Sequence, residues 1–333
     1  MGYRIAVLGA TGAVGREMIN VLEEYRIPVD ELKLLASARS AGQTVTFCGS
    51  EVAVEETAAD SFGGMDFVLG AVQNPMSVRF APAIKKSGAV YIDNSSAFRH
   101  DPEVPLVVPE INGEDAFAHK GIIANPNCST IITMVAIGAL AKLSPIRTMV
   151  ASTYQAVSGA GQGGLEELSR QLDDLHEGRT PEAKTFPAQI AMNVLPYIGS
   201  YQDNGYTSEE MKLQNEGRKI LHLPDLRVSC TCVRVPVMRS HSISVTLRTE
   251  RKISVEEAKA AIAAFPGTAL MPAEADRDWP TPLDTSGQDT VYVGRIREDL
   301  TDENGLCLWC CGDQVRKGAA SNAVQILKLL VGR

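Results

Sequence analysis

The sequence predicts an α/β protein of two domains: a parallel-sheet domain, then an α+β domain with a mixed, largely antiparallel sheet. Three observations predict it. Short apolar runs alternate with helical spacings through the first third of the chain. A turn with regularly spaced glycines, Gly9-Ala10-Thr11-Gly12-Ala13-Val14-Gly15, joins the first run to the first helix. Past residue 145, strands follow one another with only intermittent helices. Alternating strands and helices call for a parallel sheet with right-handed crossovers, whereas successive strands pair mostly antiparallel. At 333 residues the chain also exceeds one small core.

Taken in order, residues 3–8 form a short apolar strand bounded by Gly9. Residues 16–25 then place Met18, Val21 and Leu22 on one helical face. Strand, glycine turn and helix together make a dinucleotide fingerprint of the Rossmann type, although G-x-x-G-x-x-G departs from the usual G-x-G-x-x-G. Gly9 permits the tight turn, Gly12 lets the backbone approach a pyrophosphate, and Gly15 lets the helix pack on the strand; Thr11, Ala13 and Val14 complete the loop. The competing reading is a glycine-rich turn without a ligand. The second strand, 31–36, ends in Ala36-Ser37-Ala38-Arg39-Ser40-Ala41-Gly42. NAD sites usually carry an acid there for the ribose 2′-hydroxyl. A guanidinium and the hydroxyls of Ser37 and Ser40 suit a 2′-phosphate instead, which predicts NADP; the alternative is a solvated loop arginine.

Strands at 65–72, 89–92 and 121–124 and a helix at 77–87 continue the alternation. Their carboxyl ends bring Gln73-Asn74-Pro75, Asp93-Asn94-Ser95-Ser96 and Asn125-Pro126-Asn127-Cys128-Ser129-Thr130 to one edge. Ligands gather at that edge of such sheets. Arg99, just beyond, reaches an anion held there or pairs at the surface with Asp101.

The second half begins with a strand at 146–156 and a second glycine-rich loop, Ser158-Gly159-Ala160-Gly161-Gln162-Gly163-Gly164. That loop lets backbone approach a ligand, or it is a mobile connector. A helix at 165–175, an irregular Pro-punctuated stretch at 178–196, and a helix at 208–221 with Ser208 as N-cap follow. Glu209 and Lys212 share one face of that helix, a spacing that also makes a solvated ion pair. Strands are expected at 227–236, 242–248, 290–297 and 306–311, with a helix at 254–264 capped by Ser254. A long apolar helix at 313–330 packs back against the first domain. The expected boundaries are 1–127 plus 314–333, and 128–313. One broad, partly covered sheet face in the second domain is a natural dimer surface.

Composition excludes several classes. Hydrophobic content is 44 % and charged content 22 %, as in globular proteins. No apolar run reaches the ~18 residues of a membrane span. The chain enters a strand at once, leaving no room for a signal peptide, and position six is Ala6 rather than the Ser or Thr of a myristoylation motif. A net charge of −8, from 32 basic and 40 acidic residues, disfavours nucleic acid. Seven cysteines without regular spacing point to reduced thiols in a cytoplasm. Cys230-Thr231-Cys232 and Cys307-Leu308-Trp309-Cys310-Cys311 lack zinc-ligand spacing and read as strands, so no metal is expected.

Cys128 is the residue the first domain leads to. It sits between a strand end and an apolar helix over 131–143, close to that helix's N-terminus. The dipole and main-chain N–H groups there favour an anion, and the thiolate is the reactive form of a thiol. A buried structural cysteine is the alternative. Of the five histidines, only His241 lies in a constellation, Arg234-Val235-Pro236-Val237-Met238-Arg239-Ser240-His241-Ser242; histidine suits proton transfer near neutrality.

Over nearly its whole length the chain resembles the aspartate-β-semialdehyde dehydrogenase family. The resemblance is carried by Thr11-Gly12-Ala13-Val14, residues 37–42, 125–130, the Gln155-Ala156-Val157-Ser158-Gly159-Ala160-Gly161 stretch, residues 234–241 and 318–322. It implies reduction of β-aspartyl phosphate by NADPH to the semialdehyde and phosphate, in a cytoplasmic homodimer, with a tetramer also open. It implies Cys128 as the nucleophile that forms a thioester, His241 as acid/base, and Gln155 as the residue orienting the thioester or His241. Arg234 would bind the substrate carboxylate, and Glu209 its amino group, with Glu210 as the rival. Arg99 and Lys212 would hold phosphate, and Asn127 lies among the substrate contacts. Ser158, Gly159 and Gln314 would face the nicotinamide; the family often has Asn where Gln314 stands. Three rivals share parts of the pattern. An N-acetyl-glutamyl-phosphate reductase needs no acid for a free amino group. A glyceraldehyde-phosphate type enzyme fits neither NADP nor the Gln155 motif. A non-catalytic nucleotide-binding protein on this fold needs neither Cys128 nor His241.

Overall fold

Two sheets organise the chain. The computed structural model describes residues 2–272 and 277–332, and the chain divides into two units, Met1–Asn127 with Ala319–Arg333, and Cys128–Gly318. In the first unit, β1 (Tyr3–Leu8) leads through the glycine turn into helix α1 (Ala13–Glu24). There follow β2 (Val29–Ala36), β3 (Thr44–Phe47), β4 (Ser50–Glu56), β5 (Phe67–Gly70), helix α2 (Asn74–Ser87), β6 (Val90–Asp93), the short helix α3 (Pro109–Asn112) and β7 (Ile122–Ala124). The seven-stranded sheet runs β3-β4-β2-β1-β5-β6-β7. Every join is parallel except the β3–β4 hairpin. Its strands are fully apolar where the sheet is covered on both faces, as Phe67–Gly70 shows. Ile5, Val7, Met18, Leu22, Leu34, Leu69, Ile92 and Ile123 meet Val324 and Leu327 of the C-terminal helix, Ser321–Val331, in one core.

The hairpin is absent from the sequence expectation. Its strands are short and half exposed, and its two-residue loop is Cys48-Gly49, both at positive φ (48° and 77°). That is the geometry of a tight hairpin turn, but Cys at the first position hides the usual Asn-Gly signal. Helix α2 begins earlier than expected because Pro75 sits in its first turn, where a missing N–H costs nothing.

The second unit holds helix α4 (Cys128–Leu143), β8 (Ile146–Gln155), helix α5 (Gln162–His176), helix α6 (Ser208–Ile220), β9 (Arg227–Arg234), β10 (His241–Thr249), helix α7 (Val255–Ala264), β11 (Thr268–Leu270), β12 (Val291–Glu298) and β13 (Gly305–Gly312). The six-stranded sheet runs β11-β12-β13-β10-β8-β9. The joins β12–β13, β13–β10 and β10–β8 are antiparallel, and β11–β12 and β8–β9 are parallel. Helix α4 packs against β8, β10, β12 and β13 and against α6 and α7. It is apolar nearly all round, as a helix buried between a sheet and other helices must be. Val150 and Tyr154 of β8 point to the opposite face, where both are exposed.

Three expectations need correction here. The N-cap of α6 is Thr207, not Ser208: its hydroxyl accepts from the Glu210 N–H while the Glu210 carboxylate accepts from the Thr207 N–H, a reciprocal capping box. The chain rejoins the first unit after Gly318 rather than after residue 313. Residues 314–318 stay with the second unit because Gln314 bonds Ser158 and Ser240, and Arg316 makes a two-toothed pair with Asp289 at 2.9 and 3.2 Å. The expected single helix over 313–330 is broken there by a wide turn, Arg316–Ala320, before Ser321.

Candidate active site

In the first unit the glycine turn is cut to fit. A Cβ on Gly9 (φ +90°) would stand 2.4 Å from the Ala71 carbonyl oxygen, and one on Gly15 would stand 2.1 Å from the Gly9 carbonyl oxygen. Side chains are excluded at both places by the protein's own backbone, which lets β1, the turn and α1 pack closely; at Gly12 a Cβ would meet only the Gly9 carbonyl oxygen, at 3.4 Å. Gly12 precedes α1 and offers no side-chain cap. The main chain of Thr11, Ala13 and Val14 thus lies at the positive end of α1, where helix N–H groups favour a negative charge. Ser37, Arg39 and Ser40 form the turn after β2, and Thr11 Oγ1 donates to Ser40 Oγ at 3.3 Å, tying the two loops together. Arg39 is exposed. The register of β2 on β4 also sets Glu55 beside Leu35 and Glu56 beside Ala36. Reading β2 alone missed these acids because they arrive on the neighbouring strand.

Arg99 is 5 % exposed, so it is no surface arginine. Its Nε and Nη2 donate to the carbonyl oxygens of Asn125 and Asn94, each at 2.9 Å. Around them runs a buried chain of amides. Asn322 Nδ2 donates to Asn125 Oδ1 at 2.7 Å and to the Val107 carbonyl at 2.9 Å, and Asn125 Nδ2 donates to Asn94 Oδ1. A satisfied buried network of this kind holds one geometry. It fixes the strand end that continues through Pro126 and the buried Asn127 into Cys128.

In the second unit Cys128 is the first residue of α4. Its Sγ lies 3.4 Å from His241 Nε2. Gly318 passes close by: a Cβ there would stand 3.0 Å from the Cys128 Cβ. His241 opens β10 and is fully buried. The Ala156 N–H donates to its Nδ1 at 3.0 Å. An acceptor Nδ1 assigns the proton of the neutral ring to Nε2, the nitrogen that faces the sulfur. Burial above all, then the positive charge of Arg234, pushes the His241 pKa down to about 3, with Glu209 pulling the other way. The resting imidazole is neutral.

Arg234 ends β9, is 6 % exposed, and donates through Nη1 to the Ala156 carbonyl at 2.6 Å. Burial lowers its pKa, opposed by Glu209 and Cys128; a guanidinium keeps its charge even so. Gln155 is held from both sides: Oε1 accepts from Thr153 Oγ1 at 3.0 Å and Nε2 donates to Glu209 Oε1 at 3.2 Å. Lys212 Nζ donates to the other Glu209 oxygen at 2.7 Å. This separates the two neighbouring acids. Glu209 faces Gln155 and Lys212, whereas Glu210 is committed to the main-chain N–H groups of Thr207 and Cys232. Ser158 and Gln314 bond each other.

The close approach of the second glycine loop was not legible in the sequence. A Cβ on Gly159 would stand 2.7 Å from Arg234 Nη1 and 3.4 Å from His241 Cε1. Gly159→Ala is therefore expected to displace the guanidinium and the ring. The KM for the small-molecule substrate should rise, and kcat/KM should fall by roughly tenfold or more, as for a catalytic group misplaced by a fraction of an ångström. Steady-state kinetics alongside thermal unfolding check it; an unchanged kcat/KM in a folded variant would contradict the contact.

The second unit thus joins a thiol at a helix N-terminus, a neutral imidazole donor, a buried guanidinium and a carboxylate–ammonium pair. The set can add sulfur to an activated carbonyl while binding a zwitterionic carboxylate substrate. Comparison with known proteins agrees. Residues 4–119 match the family described as "Semialdehyde dehydrogenase, NAD binding domain", and residues 137–317 match "Semialdehyde dehydrogenase, dimerisation domain". The chain is 51 % identical over 330 residues to an aspartate-semialdehyde dehydrogenase of Synechocystis sp., covering 99 % of this chain and 98 % of that one. It is 45 % identical over 337 residues to the Bacillus subtilis protein of that name, covering 99 % and 97 %. Among solved structures, aspartate semialdehyde dehydrogenase II from Vibrio cholerae complexed with ASA matches with a TM-score of 0.96 at 42 % identity, covering 100 % of this chain and 99 % of that one.

Proposed function

The chain belongs to the aspartate-semialdehyde dehydrogenase family, and from that premise we propose that it reduces L-aspartyl 4-phosphate to L-aspartate 4-semialdehyde with NADPH, releasing phosphate, through a thioester on Cys128. The product then feeds amino-acid biosynthesis. The observation that carries the reading is Cys128 Sγ at the tip of α4, 3.4 Å from His241 Nε2, within one cluster with Arg234, Gln155 and Glu209.

The dipole of α4 and the Nε2–H of His241 favour the thiolate. Sγ attacks the acyl carbon of the substrate; the C–S bond forms, the bond to the phosphate oxygen breaks, and phosphate leaves with the electron pair. Arg234 takes the α-carboxylate in a fork, and Glu209 takes the ammonium, a choice supported by the commitment of Glu210 to main-chain N–H groups. Arg99 and Lys212 receive the phosphate, and Asn127 lines the substrate. Gln155, held by Thr153 and Glu209, orients the acyl group. A free amino group on the substrate, matched by Glu209, favours this reading over an N-acylated one.

The turn at Gly9, Gly12 and Gly15 fits a dinucleotide: Gly9 and Gly15 allow strand, turn and helix to pack closely, and the backbone at Gly12 has no side chain to keep a pyrophosphate away. NADPH bound at that turn would supply the hydride needed to reduce the thioester to the aldehyde. Ser37, Arg39 and Ser40 with Thr11 would hold its 2′-phosphate, and Ser158, Gly159 and Gln314 would face the nicotinamide. In the reverse direction Sγ adds to the aldehyde carbon and the oxygen gains the charge. The Nε2–H of His241 donates to that oxyanion. With Nδ1 already accepting from Ala156, the resting ring serves as a donor rather than as a base for the thiol proton.

The open face of the second sheet supports a homodimer. Val150 and Tyr154 stand exposed there, and Tyr154 packs on Trp309 with ring centroids 5.3 Å apart. Large exposed apolar groups grouped on one sheet face mark an interaction surface.

The test is phosphate-dependent reduction of NADP with the four-carbon semialdehyde, set beside NAD and beside the N-acetylated five-carbon semialdehyde. Turnover with the four-carbon substrate and a kcat/KM favouring NADP by roughly tenfold or more are expected, since a lost charged hydrogen bond is worth ~1.5–3 kcal/mol. Equal efficiency with NAD refutes the cofactor assignment, and preference for the acylated substrate refutes the substrate.

A further inference from the structure

His241 follows a residue in a conformation that L side chains rarely adopt. Ser240 has φ +73° and is fully buried. Glycine adopts this region freely, whereas serine needs outside support to stay in it. Two adjacent residues at the end of β13 supply that support. Gln314 Oε1 accepts from the Ser240 N–H at 2.7 Å. Asp313, fully buried, accepts from Arg239 Nε at 2.5 Å and from the Gly287 N–H at 2.6 Å, and its other oxygen accepts from the N–H of Val315. Asp313 therefore grips the residue before Ser240 while its own turn is pinned, and Gln314 grips Ser240 itself. On the far side Ser240 Oγ lies 3.0 Å from Ser286 Oγ.

The amide of Gln314 has a second end. Its Nε2 donates to Ser158 Oγ, on the loop whose Gly159 backbone touches Arg234 and His241. The Ser158 N–H in turn donates to the Met238 carbonyl at 3.3 Å. One buried side chain thus joins the loop after β8 to the turn before β10. Those two segments hold His241 from either side, since Ala156 at the start of that loop donates to its Nδ1.

The geometry points to Gln314 as a positioning residue for His241: by holding Ser240 in the left-handed region it aims Nε2 at Cys128, a role separate from any contact with the nicotinamide. The inference rests on the proposed part played by Cys128 and His241. Its test uses a readout that cofactor binding does not enter. Cys128 is alkylated with iodoacetamide in the cofactor-free protein, and the rate is followed against pH, with mass spectrometry reporting modification at that residue.

Gln314→Met keeps the volume and removes both polar ends. It is expected to slow alkylation of Cys128 at neutral pH by about tenfold and to move its pH profile upward, because the imidazole donor drifts from the sulfur. The same substitution in a Ser240→Gly background is expected to change the rate no more than about twofold, because glycine holds φ near +73° unaided. Gln314→Ala gives the same comparison with a smaller side chain, should the methionine variant fail to fold. Equal slowing in both backgrounds overturns the inference, as does an unaltered alkylation profile accompanied only by a raised KM for NADP. The first result would make Gln314 a general packing residue and the second a cofactor contact alone. Complete loss of alkylation in wild-type protein would instead count against the nucleophile itself, so failure of the underlying reading shows separately.

Discussion

Cys128→Ala is expected to fold, to bind NADPH with unchanged affinity, and to lose phosphate-dependent NADP reduction by at least roughly 10⁴-fold. The magnitude follows from the step removed. Without the sulfur there is no thioester, and the acyl phosphate would have to be reduced directly, so the difficult displacement is no longer divided into two. The fold should survive because the side chain is small and partly exposed at the first turn of α4, whose remaining residues make its buried contacts. Stopped mixing of wild-type protein with substrate, quenched and weighed by mass spectrometry, should show an acyl adduct on Cys128 and none on the other six cysteines. Four of those six, Cys230, Cys232, Cys310 and Cys311, are buried on β9 and β13. Burial raises the thiol pKa of Cys310 and Cys311, and at Cys232 the neighbouring Cys230 does so foremost; all three stay protonated and inert. Turnover above a hundredth of wild type would refute the thioester route.

The local part of this architecture is legible in the sequence, and the long-range part is not. The strand, glycine turn and helix at the N-terminus announce themselves because Gly9 and Gly15 sit where the backbone of neighbouring turns leaves no space. Alternation of strands with helices gives the parallel sheet, and its loss after residue 145 gives the mixed one. The β3–β4 hairpin escapes notice because its turn is Cys48-Gly49 and its strands bury little. Cys128 stands out by its seat between a strand and a helix. That His241, 113 residues on, lies beside it depends on the register that sets His241 against Gly312 across β10 and β13. No spacing rule encodes such a pairing.

Adjacent residues of the same type are the other blind spot. Glu209 and Glu210 look alike in sequence. Thr207 decides between them, because a capping threonine takes the acid three residues on and turns the neighbour toward Gln155. With Ser208 read as the cap, the third residue on is Met211, which carries no acid, and the distinction between Glu209 and Glu210 is lost. Asn322 and Asn125 are 197 residues apart and both are buried and bonded; Asp313, also buried, bonds the half-buried Arg239 74 residues away. Their types signal a buried polar network only once burial is known.

His241→Ala is expected to lower kcat/KM for the semialdehyde by roughly 10²–10⁴-fold, the usual worth of a proton-handling or oxyanion-stabilising group. His241→Gln separates the two roles. An amide N–H can donate to the sulfur and to the oxyanion, but it cannot exchange protons. If the imidazole acts as the donor that its Ala156 contact dictates, the glutamine variant should recover at least about tenfold over alanine. A glutamine variant as slow as the alanine one would restore the acid/base role. Stability should report on the same ring. Its folded pKa of about 3 lies below the ordinary 6.5, because burial and Arg234 disfavour the charged form. Between those values the unfolded chain binds a proton that the native state refuses, so stability is full above pH 6.5 and falls as pH drops toward 3. The slope from this group alone approaches about 1.4 kcal/mol per pH unit. His241→Gln removes the titrating ring, so urea unfolding from pH 7 to pH 5 should show the wild type losing stability faster than the variant. Parallel curves would mean that the native ring takes up its proton as readily as the unfolded one, and that the charge of Arg234 does not reach it.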